Sequence, residues 1–157
     1  MIDGDSREDI RVLVLAPTRA DRSLSSSVLS DAGIAFQICE DISDLSDRVR
    51  LGAGAILLTE EILARGDVSS LIAVLDNQPP WSDLPIVLLS ASGEDSPLAA
   101  WSMELLGNVT VLERPVRLTT LVSALRTAIR ARRRQYELRE QIEALAHSEK
   151  QLRLVTD

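Results

Sequence analysis

The sequence predicts an α/β protein with a doubly wound, five-stranded parallel sheet and an extended C-terminal coiled-coil helix. Three observations lead to this prediction. Short apolar runs recur along the chain without polar alternation, so each is expected to be a strand that is covered on both faces. Amphipathic helical stretches separate these runs, which is typical of a parallel sheet with helices on both sides. From Leu118 to the C-terminus the chain contains neither Gly nor Pro.

The strands and helices are predicted to alternate from the first apolar run onward. The four clear apolar runs are residues 10–16, 54–58, 85–89 and 109–112, and a weaker one is residues 35–39. Helices are predicted between them at residues 21–32, 42–51, 68–75 and 96–106. The last of these four begins with Ser96 as a cap and Pro97 in the first turn, and Gly107 follows its end. The turn signals around residues 66–80 favour a short or displaced third helix.

The segment that begins at Leu118 shows a seven-residue apolar repeat. One core position of the repeat holds Leu121, Ala128, Gln135, Ile142 and Glu149, and the other holds Ala124, Ala131, Leu138, Leu145 and Leu152. Eight of these ten residues are apolar, which favours a coiled coil. We expect the helix to pack on the sheet at first and to have only a partner chain to bury against after about Arg130. A parallel homodimer is therefore predicted, with the seam Leu138, Ile142, Leu145 and Leu152.

These patterns divide the chain into a disordered acidic N-terminus (1–9), a domain (10–130) and a C-terminal linker helix (131–157). An alternative for the linker helix is a tail that is helical only when a following domain is attached.

Composition excludes several classes of function. Residues 1–115 carry a net charge of −11 and residues 116–157 a net charge of +4, which together give −7. An acidic body and 3% aromatic residues disfavour nucleic acid as a partner. One cysteine and one histidine exclude a disulfide framework and a Cys/His zinc cluster. No apolar run is long enough to cross a bilayer and no signal peptide is recognisable, so we expect a cytoplasmic protein without membrane insertion.

Three local matches give the predicted domain a resemblance to the receiver domain of bacterial response regulators. Residues 85–92 (PIVLLSAS) resemble the fourth strand of that family, which ends in a hydroxyl residue that senses a phosphoryl group, here Ser90. Arg114 and Pro115 resemble the Lys-Pro pair after the fifth strand, where the lysine contacts phosphate and the proline bond is usually cis. Residues 54–59 resemble the third strand, whose last residue in the family is the phosphorylated aspartate. The resemblance implies the strand order 2-1-3-4-5.

Most of the residues that the resemblance assigns to the phosphoryl chemistry are replaced in this sequence by residues of a different chemical type. Phosphoryl transfer to an aspartate needs a magnesium ion, which the family holds with an acidic pair after the first strand and with the acceptor itself. Those positions hold Ala16, Pro17 and Thr59, none of which has a carboxylate. Arg114 replaces the lysine with a different donor geometry. The sequence therefore predicts a pseudo-receiver with no catalytic residue, metal or cofactor.

A one-residue shift of the alignment would offer Glu60 as a phosphate acceptor. Three arguments oppose the shift: glutamate is one methylene longer, side chains alternate between the faces of a strand, and no register places an acid directly after the first strand. We expect Glu60 and Glu61 instead to cap or solvate the loop. Phosphorylation at Glu60 remains the alternative.

The C-terminal residues 143–157 (EALAHSEKQLRLVTD) resemble the linker that precedes PAS domains in many sensor histidine kinases. The resemblance implies that the chain is the N-terminal part of such a kinase. His147 lacks the acid and the proline that follow a phosphorylated kinase histidine, so an exposed surface residue is expected. Cys39 is interpreted as a small core residue, and residues 132–134 (RRR) as a solvated basic face.

These interpretations predict a non-phosphorylatable regulatory module that dimerises and binds a signalling partner. The partner surface would be the face formed by the fourth predicted helix (96–106) and the fifth strand, where an exposed Trp101 would be an anchor. Two alternatives remain open: a working phosphoacceptor receiver in a phosphorelay, and an α/β sensor that binds a small molecule near Ala16, Thr59 and Ser90.

Overall fold

A computed structural model describes residues 10–156 and confirms the predicted fold class. The five strands form one parallel sheet in the order β2-β1-β3-β4-β5. The strands are β1 (Val12–Leu15), β2 (Phe36–Ile38), β3 (Ala55–Thr59), β4 (Ile86–Ser90) and β5 (Val109–Glu113). The helices are α1 (Arg19–Asp31), α2 (Ile42–Leu51), α3 (Glu60–Arg65), α4 (Ser69–Asp76), α5 (Pro97–Leu106) and α6 (Leu118–Thr156). The N-terminus (1–9), which was predicted to be disordered, lies outside the described residues.

Each face of the sheet has its own apolar layer. On one face, α1 and the first part of α6 contribute Leu29 and Leu125, both fully buried. On the other face, α2 to α5 contribute residues such as Leu45 and Leu71. Every residue of β1 and β3 is buried, as expected for apolar runs that are covered on both sides.

Local signals set most helix boundaries. The side chain of Thr18 accepts a hydrogen bond from the backbone N–H of Asp21 at the start of α1, and Ser96 caps α5 in the same way. Gly107 ends α5 with a φ of +91°, a conformation that favours glycine. The connection between β3 and β4 differs from the single predicted helix, because α3 precedes α4 there.

The long helix α6 contacts the domain further along its length than the sequence predicted. Arg132 and Tyr136 are 5% and 7% exposed, so the expectation that only a partner chain could bury the helix after residue 130 is wrong for these two residues. Gln135 also faces the domain, because its side-chain Oε1 accepts a hydrogen bond from the backbone N–H of Asp83. From residue 140 to residue 154, every side chain is exposed.

Within residues 10–156, no helix combines the length and the apolarity that are needed to cross a bilayer.

Candidate functional site

The positions singled out by the resemblance converge at the carboxyl edge of the sheet. Thr59 and Ser90 are the last residues of β3 and β4, and Ala16 directly follows β1. Arg114 directly follows β5 and is joined to Pro115 by a cis peptide bond, as the resemblance implies. Because parallel strands point the same way, their carboxyl ends meet at one edge, where α/β folds place their sites.

The carboxylate of Glu60 lies at the centre of this edge. Its Oε2 accepts a hydrogen bond of 2.6 Å from the hydroxyl of Ser90, and its Oε1 accepts one from the hydroxyl of Ser96. Both serines are buried. These two hydroxyl donors, Ser90 first, hold the pKa of Glu60 below its usual value against the opposing effect of its own burial. The carboxylate is therefore ionised near neutral pH, and each of its oxygens accepts a hydrogen bond from a serine.

Both serines also accept hydrogen bonds from the backbone. The hydroxyl oxygen of Ser90 accepts one from the backbone N–H of Ser92, and that of Ser96 accepts one from the backbone N–H of Ala99 at the start of α5. One carboxylate thus connects the start of α3 with the end of β4 and the cap of α5.

Glu61 makes the second charged contact of the site. The Nη2 atom of Arg114 donates a hydrogen bond to its Oε1, which forms an ion pair. Burial raises the pKa of Glu61, but the hydrogen bond and the charge of Arg114 outweigh that effect, so the pKa is lowered overall. Glu60 and Glu61 were predicted to cap or solvate the loop. They stand in the first turn of α3, but their side chains are not merely solvated, because both bind residues of other strands and helices.

The Thr59 side chain has no carboxylate that could form an acyl phosphate. It is 6% exposed, and its hydroxyl makes no hydrogen bond of standard geometry among the described residues. Thr59, Ala16 and Arg114 line a largely apolar cavity of about 500 Å³ between α1 and the start of α6. Asp21, whose side chain accepts a hydrogen bond from Thr18, lines the same cavity.

The magnesium ion that the resemblance implies does not fit these residues. A hard divalent cation needs several oxygen ligands, of which carboxylates are the strongest in proteins. The resemblance assigns the carboxylate positions of the family to Ala16, Pro17 and Thr59, none of which has a carboxylate. Both oxygens of Glu60 already accept hydrogen bonds from serines, and Glu61 pairs with Arg114.

Three other residues singled out in the sequence take no part in the contacts of Glu60 and Glu61. Trp101 on α5 is 37% exposed, and Met103 and Leu105 beside it are similarly exposed, which gives the predicted partner face an apolar surface. Cys39 is fully buried, as predicted, and burial raises the pKa of its thiol to about 11. His147 is exposed, as expected.

The structure also brings forward residues that sequence reasoning missed. Ser96 was recognised only as a helix cap, and Arg132 only as part of a basic run. An acidic pair directly after an apolar strand, opposite a strand that ends in serine, is the signal that could have indicated the role of Glu60.

No protein-family model matches the sequence, and a comparison with curated proteins finds no match. Solved structures are similar in fold. A sensor protein from Polaromonas sp. JS666 is 23% identical with a TM-score of 0.62, covering 78% of this chain and 98% of its own. The receiver domain of the sensor histidine kinase PA1611 from Pseudomonas aeruginosa, with magnesium coordinated in its active site cleft, is 16% identical with a TM-score of 0.63, covering 76% of this chain and 97% of its own.

A third similar structure extends over more of this chain. It is a fusion that carries a trimeric coiled coil of yeast Spc42, and it is 17% identical with a TM-score of 0.64. The match covers 93% of this chain and 96% of that one. The similarity to the PA1611 receiver domain and the strand order lead to one conclusion: this chain has the fold of response-regulator receiver domains.

Proposed function

We propose that this chain is a pseudo-receiver: a non-enzymatic regulatory module that dimerises and binds a protein partner without being phosphorylated. Its setting would be a cytoplasmic two-component signalling protein such as a PAS-containing sensor histidine kinase. The proposal rests on what stands at the end of β3. The last residue of the strand is a buried threonine, Thr59, and the carboxylate that follows it, that of Glu60, is already hydrogen-bonded to Ser90 and Ser96.

Phosphoryl transfer to a carboxylate gathers negative charge that a divalent cation must neutralise. Glu60 is the carboxylate closest to Ser90, and hydroxyl donors occupy both of its oxygens. Arg114, which takes the place of the phosphate-contacting lysine in the resemblance, is paired with Glu61. Ser90 and Arg114, which would bind a phosphoryl group by the resemblance, therefore bind the carboxylates of Glu60 and Glu61 instead. These contacts hold the side chains at this edge of the sheet in one arrangement.

Two surfaces would carry the output of the module. The exposed seam of α6, formed by Leu138, Ile142, Leu145 and Leu152, is 47% to 65% exposed at these residues. A second copy of the chain in parallel orientation would bury this heptad-spaced seam. The second surface is the α5 face around Trp101, where an apolar patch suits a protein partner.

Intact-mass measurement tests the proposal. The full chain is incubated with magnesium and acetyl phosphate, beside an active receiver domain that shows the donor works. We expect no added phosphoryl group on the wild type. The Thr59→Asp variant should also stay unmodified, because Ala16 and Pro17 still supply no carboxylate. A hydroxylamine-labile phosphoryl group on the wild type, absent from Glu60→Gln, would replace the proposal with the phosphorelay alternative.

A small-molecule sensor is the second candidate, because the cavity of about 500 Å³ beside Thr59 and Arg114 is within the range of ligand sites. A thermal-shift screen with a metabolite set tests it. A concentration-dependent rise in Tm that Thr59→Phe abolishes would support this function.

A further inference from the structure

A second cleft lies at the opposite, amino end of the sheet. It is formed by the ends of α2 and α4, the loop before β4, and the middle of α6, and its volume is about 420 Å³. Of the fourteen described residues that line it, three are arginines and none carries a carboxylate. This composition is unexpected in a chain with a net charge of −7.

The arginines of the cleft are Arg50, Arg132 and Arg139. The guanidinium of Arg132 is held in place by three hydrogen bonds, which it donates to the carbonyl of Ala53 at 2.9 Å and to the side chains of Ser82 and Gln135, both at 2.7 Å. These bonds fix the guanidinium of Arg132 at the wall of the cleft, where its positive charge favours an anion.

Two aromatic rings form one wall of the same cleft. The ring centroids of Trp81 and Tyr136 are 5.6 Å apart with an angle of 48° between the rings. The Cζ atom of Arg139 is 5.4 Å from the Trp81 ring and 4.9 Å from the Tyr136 ring. The hydroxyl of Tyr136 donates to the carbonyl of Ala53 and fixes its ring. The Cζ atom of Arg132 is also 4.6 Å from the centroid of the Tyr136 ring, and Tyr136 is only 7% exposed. The half-buried Trp81 is therefore the ring on which a further planar group can stack.

We propose that this cleft binds a small organic anion with a planar ring, an aromatic carboxylate or an aromatic phosphate ester. Arg50 and Arg139 would bind the anionic group through charge-assisted hydrogen bonds, and Trp81 would stack against the ring. The proposal that the cleft binds this ligand depends only on the residues of the cleft. Its consequence rests on the proposed function: a ligand that contacts both Trp81 on the domain and Arg139 on α6 would fix the helix against the domain.

Fluorescence of Trp81 measures binding directly. The chain has two tryptophans, so Trp101→Phe leaves Trp81 as the only reporter in the full chain. The probes are phenyl phosphate, inorganic phosphate and phenol. We expect a saturable change with phenyl phosphate, and affinities at least about tenfold lower for the two probes that lack the ring or the charge.

Variants in the same background locate the site. Arg139→Gln is expected to weaken phenyl phosphate binding about tenfold, since it removes one charged donor. Arg133→Gln, an exposed residue of the same helix outside the cleft, should leave the affinity unchanged. Arg50 lies at the end of α2 and forms an exposed ion pair of 2.7 Å with Asp47. It provides a second variant, Arg50→Gln, which should also weaken binding.

Three results would overturn the proposal: no saturable change up to about 10 mM phenyl phosphate, equal affinity for inorganic phosphate, or unchanged affinity in both Arg139→Gln and Arg50→Gln. Failure here is distinct from failure of the proposed function. A phosphoryl adduct in the mass experiment would disprove the pseudo-receiver and leave this titration unaffected.

Discussion

The hydroxyl of Ser90, at the end of β4, donates a 2.6 Å hydrogen bond to the carboxylate of Glu60, thirty positions earlier in the chain. Ser90 is fully buried, so its hydroxyl needs a partner inside the protein. Glu60 provides that partner and accepts a second hydrogen bond from Ser96. A residue that the resemblance assigns to sensing a phosphoryl group is thus already bound to an acid of its own chain.

This contact predicts a pH dependence of stability. The folded-state pKa of Glu60 is lowered by its serine donors. Its contribution to stability is therefore complete above the unfolded-state pKa of about 4.3 and is lost as the pH falls through the lower folded-state value. Tm of the wild type should decrease below about pH 5. Glu60→Gln should show a lower Tm at pH 7 and a flatter profile in acid.

Glu140→Gln, which changes an exposed residue of α6, is the matched control and should keep the wild-type profile. If Glu60→Gln lost stability in parallel with the wild type from pH 7 to pH 3.5, the contact with Ser90 would contribute nothing in solution.

The anchoring of α6 predicts a large difference between two adjacent arginines. Arg132 is 5% exposed and donates to the buried carbonyl of Ala53, whereas Arg133 is exposed. Arg132→Ala leaves these buried acceptors without their charged donor and should cost about 3 kcal/mol in the free energy of unfolding. Arg133→Ala should cost about 0.5 kcal/mol or less. Urea unfolding measures both, and equal values would contradict the anchoring role.

The exposed seam predicts the oligomeric state. Leu145 lies on the seam and Leu154 lies off it, and both are exposed, at 64% and 73%. Leu145→Asp should abolish the dimer because it places a charge in the centre of the coiled coil, while Leu154→Asp should not. Light scattering coupled to size-exclusion chromatography gives the mass of each. A wild type that is monomeric at high concentration would refute dimerisation through α6.

A glycine before β3 predicts a packing constraint. A Cβ atom on Gly54 would lie 2.2 Å from the backbone oxygen of Ile10, so the neighbouring backbone would have to move. Gly54→Ala should lower stability by about 2 kcal/mol through overpacking. At Gly66 the nearest atom would be 3.7 Å away, and Gly66→Ala should be tolerated. Thermal unfolding of both variants measures the difference, and equal Tm values would show that the backbone adjusts freely at Gly54.

The sequence indicated the sheet because apolar runs and helix caps are local signals. Ser96, Pro97 and Gly107 bound α5 as predicted, since each acts on backbone within a few residues of itself. The helix α3 was missed, because its six residues are too few for a helical period to be distinguished from a loop.

The site was predicted in part. The resemblance located Thr59, Ser90 and Arg114 at one edge of the sheet, and the strand order places them there. The hydrogen bonds of Glu60 to Ser90 and Ser96 could not be predicted. They depend on the rotamers of side chains that are thirty or more positions apart in the sequence.

By itself, the sequence determined the parallel sheet and its apolar layers, because these follow from periodicity. Residue identity also shows that Ala16, Pro17 and Thr59 have no carboxylate. Only the tertiary structure decided which partners the charged side chains bind. Glu60, Glu61 and Arg132 could all have been solvated, yet each contacts a group that is distant in sequence. The physical reason is that a buried donor or acceptor must find its partner among the neighbours that folding provides.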